Sequence, residues 1–367
     1  MQNHGTSLNP ALRIRIWVHY PRMTLSSDES RSAPRIISFF AKQIQIAKQV
    51  NKHMNIKCIA ALVAAVVGIT GCANQPVRRA GATGKAREDK RPATTWTRAG
   101  SLGDPPKAVT DAFPLSDQQN KEGWIKFEPL TDEFEGRDLD LKKWKLGIVG
   151  WNGRSPAMFS DKNVTVSHGK LHLAMRKEKV PPEYEQQGFH DYTSAALHST
   201  ALAHYGYYEV KAKAMNSGGS SAFWFAIDYD GKWGDITEID VFEICGKPKD
   251  NRNTYNMNLH AWKDGPRRID WVEPGPASNE HLEMHAEWEA PWRFADDFHV
   301  YGFEWGKDEV KYYVDGVVVR TAENTRWHSP LHLTLDSETF PFWFGMPDDK
   351  DLPSTFSIEY VRAWKKK

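Results

Sequence analysis

Acidic and apolar residues alternate along residues 235–246 (DITEIDVFEICG), and no other stretch constrains the fold as strongly. Such alternation is typical of a β-strand, in which side chains two residues apart share a face, so Glu238 and Asp240 are predicted to point the same way. Strict alternation would turn Glu243 away from them. One extra residue in a β-bulge around Val241-Phe242 returns Glu243 to their face. The sequence therefore predicts a bulged strand with three carboxyl groups side by side.

Three carboxyl groups this close to one another do not all ionise readily. Repulsion between them is expected to raise the pKa of at least one, which suits a group that gives and takes protons. The alternative is a solvated edge strand with scattered acids, but the apolar residues between the acids indicate a packed opposite face. We therefore interpret Glu238, Asp240 and Glu243 as candidate catalytic residues.

The segment 238–243 (EIDVFE) resembles the E-x-D-x-x-E signature of glycoside hydrolase family 16 in its bulged form. The resemblance extends over about residues 120–367. YGYYEVKAKA (205–214) and SSAFWFAID (220–228) resemble the paired strands that precede the catalytic strand of the family, and FSIEYVRAW (356–364) resembles its last strand. Within the family the sequence is most similar to the agarases and porphyranases, and to the beta-agarases above all.

The resemblance implies an all-β fold, a jelly-roll sandwich of two antiparallel sheets with a concave substrate groove. The many short strands and turns agree with this class, among them a strong hairpin signal at Asp315-Gly316. Two longer excursions, 177–192 and 270–297, are predicted to be surface loops near the rim. The residues alone do not say which glutamate plays which part.

By resemblance, Glu238 is the nucleophile, Glu243 is the acid/base, and Asp240 holds Glu238 and tunes the shared protonation. This is a retaining mechanism, for which the two carboxyl groups need to lie about 5–5.5 Å apart. The chemistry requires no metal. A structural calcium, which the family often carries on the convex side, is left open, because Glu359 replaces the usual aspartate of the last strand.

Five further residues are predicted to contact substrate. Trp151 offers a flat face for a sugar ring and Arg154 a forked donor, although an exposed turn with a tucked tryptophan is the alternative. Trp224 is expected to line the groove, opposite its buried neighbours. His260 resembles the family histidine beside the acids, which should raise its pKa; a core histidine is the alternative. LDSETF resembles an agarase stretch and makes Glu338 a groove residue.

The N-terminal part is predicted to carry a targeting signal. Residues 1–53 are predicted to be a non-native extension, with translation starting at Met54. Residues 54–72 combine a short positive region, an apolar run and Ile-Thr-Gly-Cys, which resembles a bacterial lipobox, so we expect cleavage before Cys72 and a lipid on its sulfur. The apolar run is shorter than the about 20 residues of a membrane span. Because Ala73 is not aspartate, an outer-membrane or surface lipoprotein is expected.

Composition bounds the rest of the chain. Residues 73–112, rich in Ala, Gly, Pro and Thr, are predicted to be a flexible linker, and residues 113–367 the catalytic domain. A net charge of +1 gives no reason to expect nucleic acid as a partner. Only Cys245 lies in the predicted domain, which excludes an intramolecular disulfide framework there. We expect a monomer that is held to the membrane by its lipid and binds a polysaccharide.

The predicted function is endo-hydrolysis of β-1,4 linkages in a red-algal galactan, agarose or porphyran. The near-neutral charge favours agarose over a sulfated polymer. Three alternatives stay open: a carrageenase or laminarinase of the same family, a transglycosylase with the same acids, and a non-catalytic glycan-binding lipoprotein. Retention of all three acids argues against the last.

Overall fold

The computed structural model describes residues 97–227, 233–266 and 280–367. The described residues belong to one compact unit, Glu88–Lys367. The predicted extension, signal and lipidated Cys72 lie outside the described residues. Within the described ranges no helix has the length and apolar character needed to cross a membrane.

The described residues form β-strands linked by turns and short 3-10 helices. The strands are β1 (Thr97–Ala99), β2 (Trp124–Lys126), β3 (Trp144–Leu146), β4 (Ala157–Phe159), β5 (Val164–Ser167), β6 (Lys170–Lys177), β7 (Tyr192–Ala203), β8 (Gly206–Lys213), β9 (Ser220–Ala226), β10 (Trp233–Ile244), β11 (Thr254–Pro266), β12 (Glu280–Glu283), β13 (Ala286–Glu289), β14 (His299–Trp305), β15 (Glu309–Val314), β16 (Val317–Glu323), β17 (Leu331–Glu338) and β18 (Ser354–Lys366). The 3-10 helices span Leu115–Asp117, Glu128–Leu130, Asp161–Asn163, Pro182–Gln187 and Asp349–Asp351.

Most strands belong to two sheets. The front sheet has the order β3-β7-β17-β9-β10-β11, with β12 and β13 both beside β11. The back sheet has the order β5-β6-β18-β8-β14-β15-β16, and β2 pairs with the end of β18. All these pairs are antiparallel. The two sheets join at one corner, where the end of β6 pairs with the start of β7. The predicted all-β sandwich is confirmed.

Aromatic side chains from the two sheets meet in the core. On the front sheet Phe225 and Phe242 are fully buried, and on the back sheet so are Tyr301 and Phe303. The ring centroids of Phe242 and Tyr301 lie 4.6 Å apart, and those of Phe225 and Phe303 lie 5.9 Å apart. Because this packing fixes the inner face of β9 and β10, their alternate side chains must lie on the outer face of the front sheet.

The predicted hairpin at Asp315-Gly316 is confirmed by its turn, and a second hairpin has the same geometry. Between β15 and β16 the two-residue turn has Asp315 at φ 48° and Gly316 at φ 76°. Between β5 and β6, His168 at φ 52° and Gly169 at φ 67° make the same turn. Positive φ at both central residues matches the twist of antiparallel strands, and glycine, which adopts positive φ without strain, is the second residue of both turns.

Two predicted boundaries are wrong. Residues 97–112, assigned to the flexible linker, contact the domain: β1 pairs in parallel with β13, and Trp364 donates a 2.8 Å hydrogen bond to the carbonyl of Ala112. Part of the predicted rim loop 270–297 is strand, since β12 and β13 pair with β11. The segment 97–112 has low apolar content and is held by backbone pairing and hydrogen bonds, which a hydrophobic pattern does not reveal. In the second segment Leu282, Met284, Ala286 and Trp288 alternate and pack in the core, a strand pattern that the sequence carries.

Candidate active site

The predicted bulge lies in β10. Between Asp240 and Glu243 the register shifts against β11, and between Asp240 and Phe242 it shifts against β9. Val241 is the extra residue, and both Val241 and Phe242 are fully buried in the core. Two successive inward side chains restore Glu243 to the face of Glu238 and Asp240. The bulge prediction is confirmed.

The acids of β10 share a pocket on the front sheet with two further carboxyl groups, one cation and two indole rings. We refer to it as the acid pocket. The side chains that carry these groups are Glu238, Asp240, Glu243, Asp336, Glu338, Arg154, Trp151 and Trp224. Glu238 is 9% exposed and Asp240 is 5% exposed. Carboxylate oxygens of these two residues and a ring nitrogen of His260 all lie within 4.8 Å of one another.

Burial dominates the protonation of the three β10 acids. Burial, with a smaller contribution from the neighbouring charge of Glu243 and against the pull of Arg154, raises the pKa of Glu238 to about 8. Burial and repulsion from Glu238 raise the pKa of Asp240, and burial and repulsion from Asp240 raise that of Glu243. A cluster of this kind shares protons, and its carboxyl groups ionise in steps, so that over part of the pH range a protonated group lies beside an ionised one. That is the condition for general acid/base chemistry.

Arg154 and Glu338, predicted separately as substrate contacts, form a pair. The Nε of Arg154 donates a 2.9 Å hydrogen bond to Oε2 of Glu338, whose side chain is 3% exposed. The guanidinium also lies over the ring of Phe340, with 3.7 Å between its carbon and the ring centroid. Burial opposes the charge on Arg154, but Glu338, Glu243 and Asp336 together outweigh it and raise the pKa of the guanidinium. Arg154 therefore holds the acid pocket together electrostatically.

The two predicted tryptophans reach the acid pocket but offer little open surface. Trp224 is 6% exposed and Trp151 is 5% exposed. Their rings pack edge to face, with centroids 6.1 Å apart, and Phe159 packs on Trp151 at 5.0 Å. Trp224 lies opposite its buried neighbours as predicted. The open stacking face expected of Trp151 is wrong, because the ring is tucked under the loop that carries it.

His260 lies beside the acids, but the expected direction of its pKa is wrong. Its Nε2 is 3.4 Å from Oδ2 of Asp240, and its Nδ1 is 3.0 Å from Nε2 of His281. Burial and, to a smaller extent, the neighbouring His281 and His285 lower the pKa of His260 to about 4. The nearby charge of Glu283 acts to raise this pKa but does not offset them. Desolvation outweighs attraction, so the imidazole is neutral at neutral pH.

Asp336 is a pocket residue that the sequence reasoning missed. It lies two residues before Glu338 in β17 and is 1% exposed. Its Oδ1 accepts a 2.6 Å hydrogen bond from Nε1 of Trp224, and its Oδ2 has no partner among the described residues. Burial and repulsion from Glu338 raise the pKa of Asp336. The signal was the two-residue spacing of the acids in LDSETF, which puts both on one face of a strand.

The residue that raised the question of calcium does not fit a cation. Glu359 of β18 lies between two ammonium groups, with its carboxylate oxygens 2.7 Å from Lys211 and 3.6 Å from Lys170. Calcium is held by six to eight oxygen ligands, and two lysines in contact with the carboxylate oppose it. We therefore assign no calcium to this residue.

The fold and the acid pocket together define a class. A sandwich of antiparallel sheets that presents several partly protonated carboxyl groups on one bulged strand is suited to cleave glycosidic bonds, which require a carboxylate and a carboxylic acid side by side. The protein is a glycoside hydrolase.

Comparison with known proteins narrows the class. Residues 124–366 match the family model described as beta-porphyranase A-D, GH16 domain. The kappa-carrageenase of Pseudoalteromonas carrageenovora is 29% identical over 300 residues, covering 71% of this chain and 70% of that protein. A crystal structure of porphyranase B from Zobellia galactanivorans aligns with a TM-score of 0.57 and 26% identity, over 71% of this chain and 98% of that one. The laminarinase catalytic domain of Thermotoga maritima MSB8 aligns with a TM-score of 0.55 and 28% identity, over 67% and 100%. The chain belongs to glycoside hydrolase family 16.

Proposed function

We propose that the protein is a retaining endo-hydrolase of β-1,4 linkages in a red-algal galactan, agarose or porphyran. The observation that carries the proposal is the bulge of β10, which brings Glu238, Asp240 and Glu243 to one face in the acid pocket. The match to the porphyranase family model supports a galactan as the polymer.

Each acid of β10 has a defined part in this reaction. Ionised Glu238 attacks the anomeric carbon and forms a glycosyl-enzyme, while protonated Glu243 gives its proton to the leaving oxygen. Glu243 then takes a proton from the water that releases the sugar from Glu238. Asp240, within 4.8 Å of Glu238, shares protons with it and keeps its carboxylate oriented.

The charge of the acid pocket favours an uncharged sugar at the reacting position. Five carboxyl groups face one guanidinium there, and that guanidinium is already bonded to Glu338 at 2.9 Å. A sulfate ester placed in this pocket would have to compete with Glu338 for that one guanidinium, because the described lining residues offer it no second cation. Agarose, or an unsulfated stretch of porphyran, is therefore the preferred polymer.

The test is the release of reducing ends from agarose, porphyran, kappa-carrageenan and laminarin by the purified chain. Product from agarose or porphyran alone is expected. Product from kappa-carrageenan or laminarin instead would overturn the substrate assignment in favour of the specificity named for the relatives of 29% and 28% identity. Products longer than the starting oligosaccharide would identify a transglycosylase. Binding without product from any polymer would identify a glycan-binding protein.

We also propose that the protein is a lipoprotein of the cell envelope. The support is the sequence 54–72, with its positive start, apolar run and final Cys72. Lipid on the sulfur of Cys72 would anchor the enzyme at the cell surface, where it can contact a large polymer. Labelling cells with a radioactive fatty acid tests this: label on the chain, lost in Cys72→Ala, is expected, and an unlabelled chain would contradict it.

A further inference from the structure

A second cavity lies beside the acid pocket and has no part in the proposed chemistry. Its volume is about 190 Å³, whereas one water needs about 10–15 Å³, so it has room for a ring-sized ligand. It lies over the start of β11 and is lined by Asn256, Lys249, Asp250, Arg252, Glu287 and Trp343, among others. We refer to it as the chamber.

The floor of the chamber holds an unpaired hydrogen-bond acceptor. Asn256 is 2% exposed, and its Nδ2 donates to the carbonyls of Glu243 at 3.0 Å and Thr254 at 3.3 Å. These two bonds fix the orientation of the amide. Its Oδ1 is left buried without a partner among the described residues. A buried acceptor of this kind calls for a donor such as a hydroxyl group.

One wall of the chamber is an aromatic loop, residues 340–345, which we refer to as the aromatic finger. Trp343 lines the chamber, stacks on Phe344 with centroids 4.3 Å apart, and remains 43% exposed. The loop is closed by a 2.8 Å hydrogen bond from the amide of Gly345 to the carbonyl of Phe340. Gly345 has φ +77°, and a Cβ there would lie 2.7 Å from the side chain of Lys249, so the finger is held against the opposite lip.

The chamber and the acid pocket are neighbours on the front sheet. Asn256 pairs with Glu243 across the β10–β11 ladder, which places the chamber floor one strand away from that acid. At the other end of the finger, the ring of Phe340 lies under the guanidinium of Arg154 in the acid pocket. A polymer that places one sugar in the acid pocket therefore extends along the finger.

The charges at the lip of the chamber balance. Lys249 and Arg252 are matched by Asp250 and Glu287, and Arg252 lies 3.4 Å from Glu287. A sulfate ester would have to displace an acid and would still leave the oxygen of Asn256 without a donor. A sugar ring with free hydroxyl groups leaves the charges at the lip balanced and donates a hydrogen bond to the oxygen of Asn256 at the floor.

We propose that the chamber is a subsite for an uncharged sugar of the same glycan, which stacks on Trp343 and donates a hydroxyl group to Oδ1 of Asn256. The inference rests on the proposed function and assigns the sugar unit that it takes beside Glu243. Trp343 and Asn256 are then specificity-determining residues of the enzyme.

The test is isothermal titration of a neutral agarose oligosaccharide into the full chain carrying Glu238→Gln, which prevents turnover. Trp343→Ala should weaken the Kd about tenfold, equivalent to about 1.4 kcal/mol, and Trp343→Phe should restore most of it. Phe342→Ala, at a residue of the same finger that is 99% exposed and does not line the chamber, is the matched control and should change little. Equal Kd values for Trp343→Ala and Phe342→Ala would overturn the proposal.

A second titration separates hydroxyl from sulfate recognition. With a neutral oligosaccharide the Kd should change little between about 50 and about 500 mM NaCl, because screening acts on charges, and a sulfated porphyran oligosaccharide should bind no tighter. Tighter binding of the sulfated oligosaccharide, abolished by salt and by Lys249→Met, would contradict the proposal. Hydrolysis by the wild-type chain is measured separately, and no cleavage of any galactan would refute the proposed function. The Trp343→Ala titration tests the chamber as a sugar subsite whether or not the wild-type chain cleaves a galactan.

Discussion

Arg154 and Glu338 are 184 residues apart in the chain and are joined by a 2.9 Å hydrogen bond at the side of the acid pocket. Arg154 is the single cation among the described residues that line this pocket, and five carboxyl groups face it. Its charge lowers the pKa of Glu238, Asp240 and Glu243 against the burial that raises them. The pair therefore sets how many protons the pocket holds at a given pH.

Removing this charge should move the pH profile of the enzyme upwards. In Arg154→Met the pKa values of Glu238 and Glu243 rise, so the nucleophile ionises and the acid loses its proton at higher pH. We expect both limbs of the kcat/KM profile to move up by about one unit, and the maximum to fall about tenfold. Arg154→Lys keeps the charge and should keep the limbs in place. An unmoved profile in Arg154→Met would show that the guanidinium does not tune the acids.

Chemical rescue should distinguish the roles of the two glutamates, Glu238 as nucleophile and Glu243 as acid/base. Glu238→Gln and Glu243→Gln are each expected to lower kcat on the polymer by about 10² to 10⁴ or more. On an aryl glycoside, whose leaving group needs no proton, Glu243→Gln should retain the first step, and azide should then give a product of retained configuration. Azide with Glu238→Gln should give the inverted product. The reverse pattern, read by NMR of the azides, would exchange the two roles.

Asp336 should behave as a hydrogen-bond donor, since burial and Glu338 raise the pKa of its carboxyl and Trp224 occupies its other oxygen. An amide of the same shape keeps both functions, so Asp336→Asn should change kcat/KM by no more than about threefold. Asp336→Leu should lower it by about 10- to 100-fold, the size of a lost buried hydrogen bond. Loss of activity in Asp336→Asn equal to that in Asp336→Leu would instead show that an anion is needed.

A buried carboxyl on the back sheet should make the stability of the fold depend on pH. Glu209 is 1% exposed, accepts hydrogen bonds from the amide of Leu115 and the hydroxyl of Tyr360, and burial raises its pKa to about 7. Because the folded state holds this proton more tightly than the unfolded state, stability is lost as pH rises from the unfolded pKa towards 7 and above. The loss amounts to roughly 3 kcal/mol.

Glu209→Gln removes that dependence. In urea unfolding, the free energy of the variant relative to wild type should rise by up to about 3 kcal/mol between about pH 4.5 and about pH 8. The acids of the acid pocket are present in both proteins and cancel in this difference. Glu135→Gln, at an exposed glutamate, is the control. A difference that stays constant with pH would refute the assigned role of Glu209.

The parts of the structure that local sequence determines could be predicted. The bulge follows from EIDVFE alone, because three acids on one packed strand need one extra residue to share a face. The hairpin at Asp315-Gly316 follows from turn chemistry. The outward position of Trp224 follows from alternation with Phe223 and Phe225, which are fully buried.

What depends on distant partners could not be read from the sequence. The pairing of Arg154 with Glu338 requires the fold, since nothing local links the two. The pKa of His260 moves down because burial outweighs the nearby carboxylate, and burial is a property of the packed sheets. The strand β1 is a short segment that gains its hydrogen bonds from β13. Asp336, by contrast, was visible two residues before Glu338 and was overlooked.

The central claim is that the acids of β10 cleave a galactan by double displacement, and the most direct measurement is the configuration of the new reducing end. Proton NMR of the anomeric region during hydrolysis of agarose or porphyran by the wild-type chain follows it before mutarotation. The β signal should appear first and the α signal should grow from it later. An α signal that appears first, or no new reducing end from either polymer, would contradict the claim.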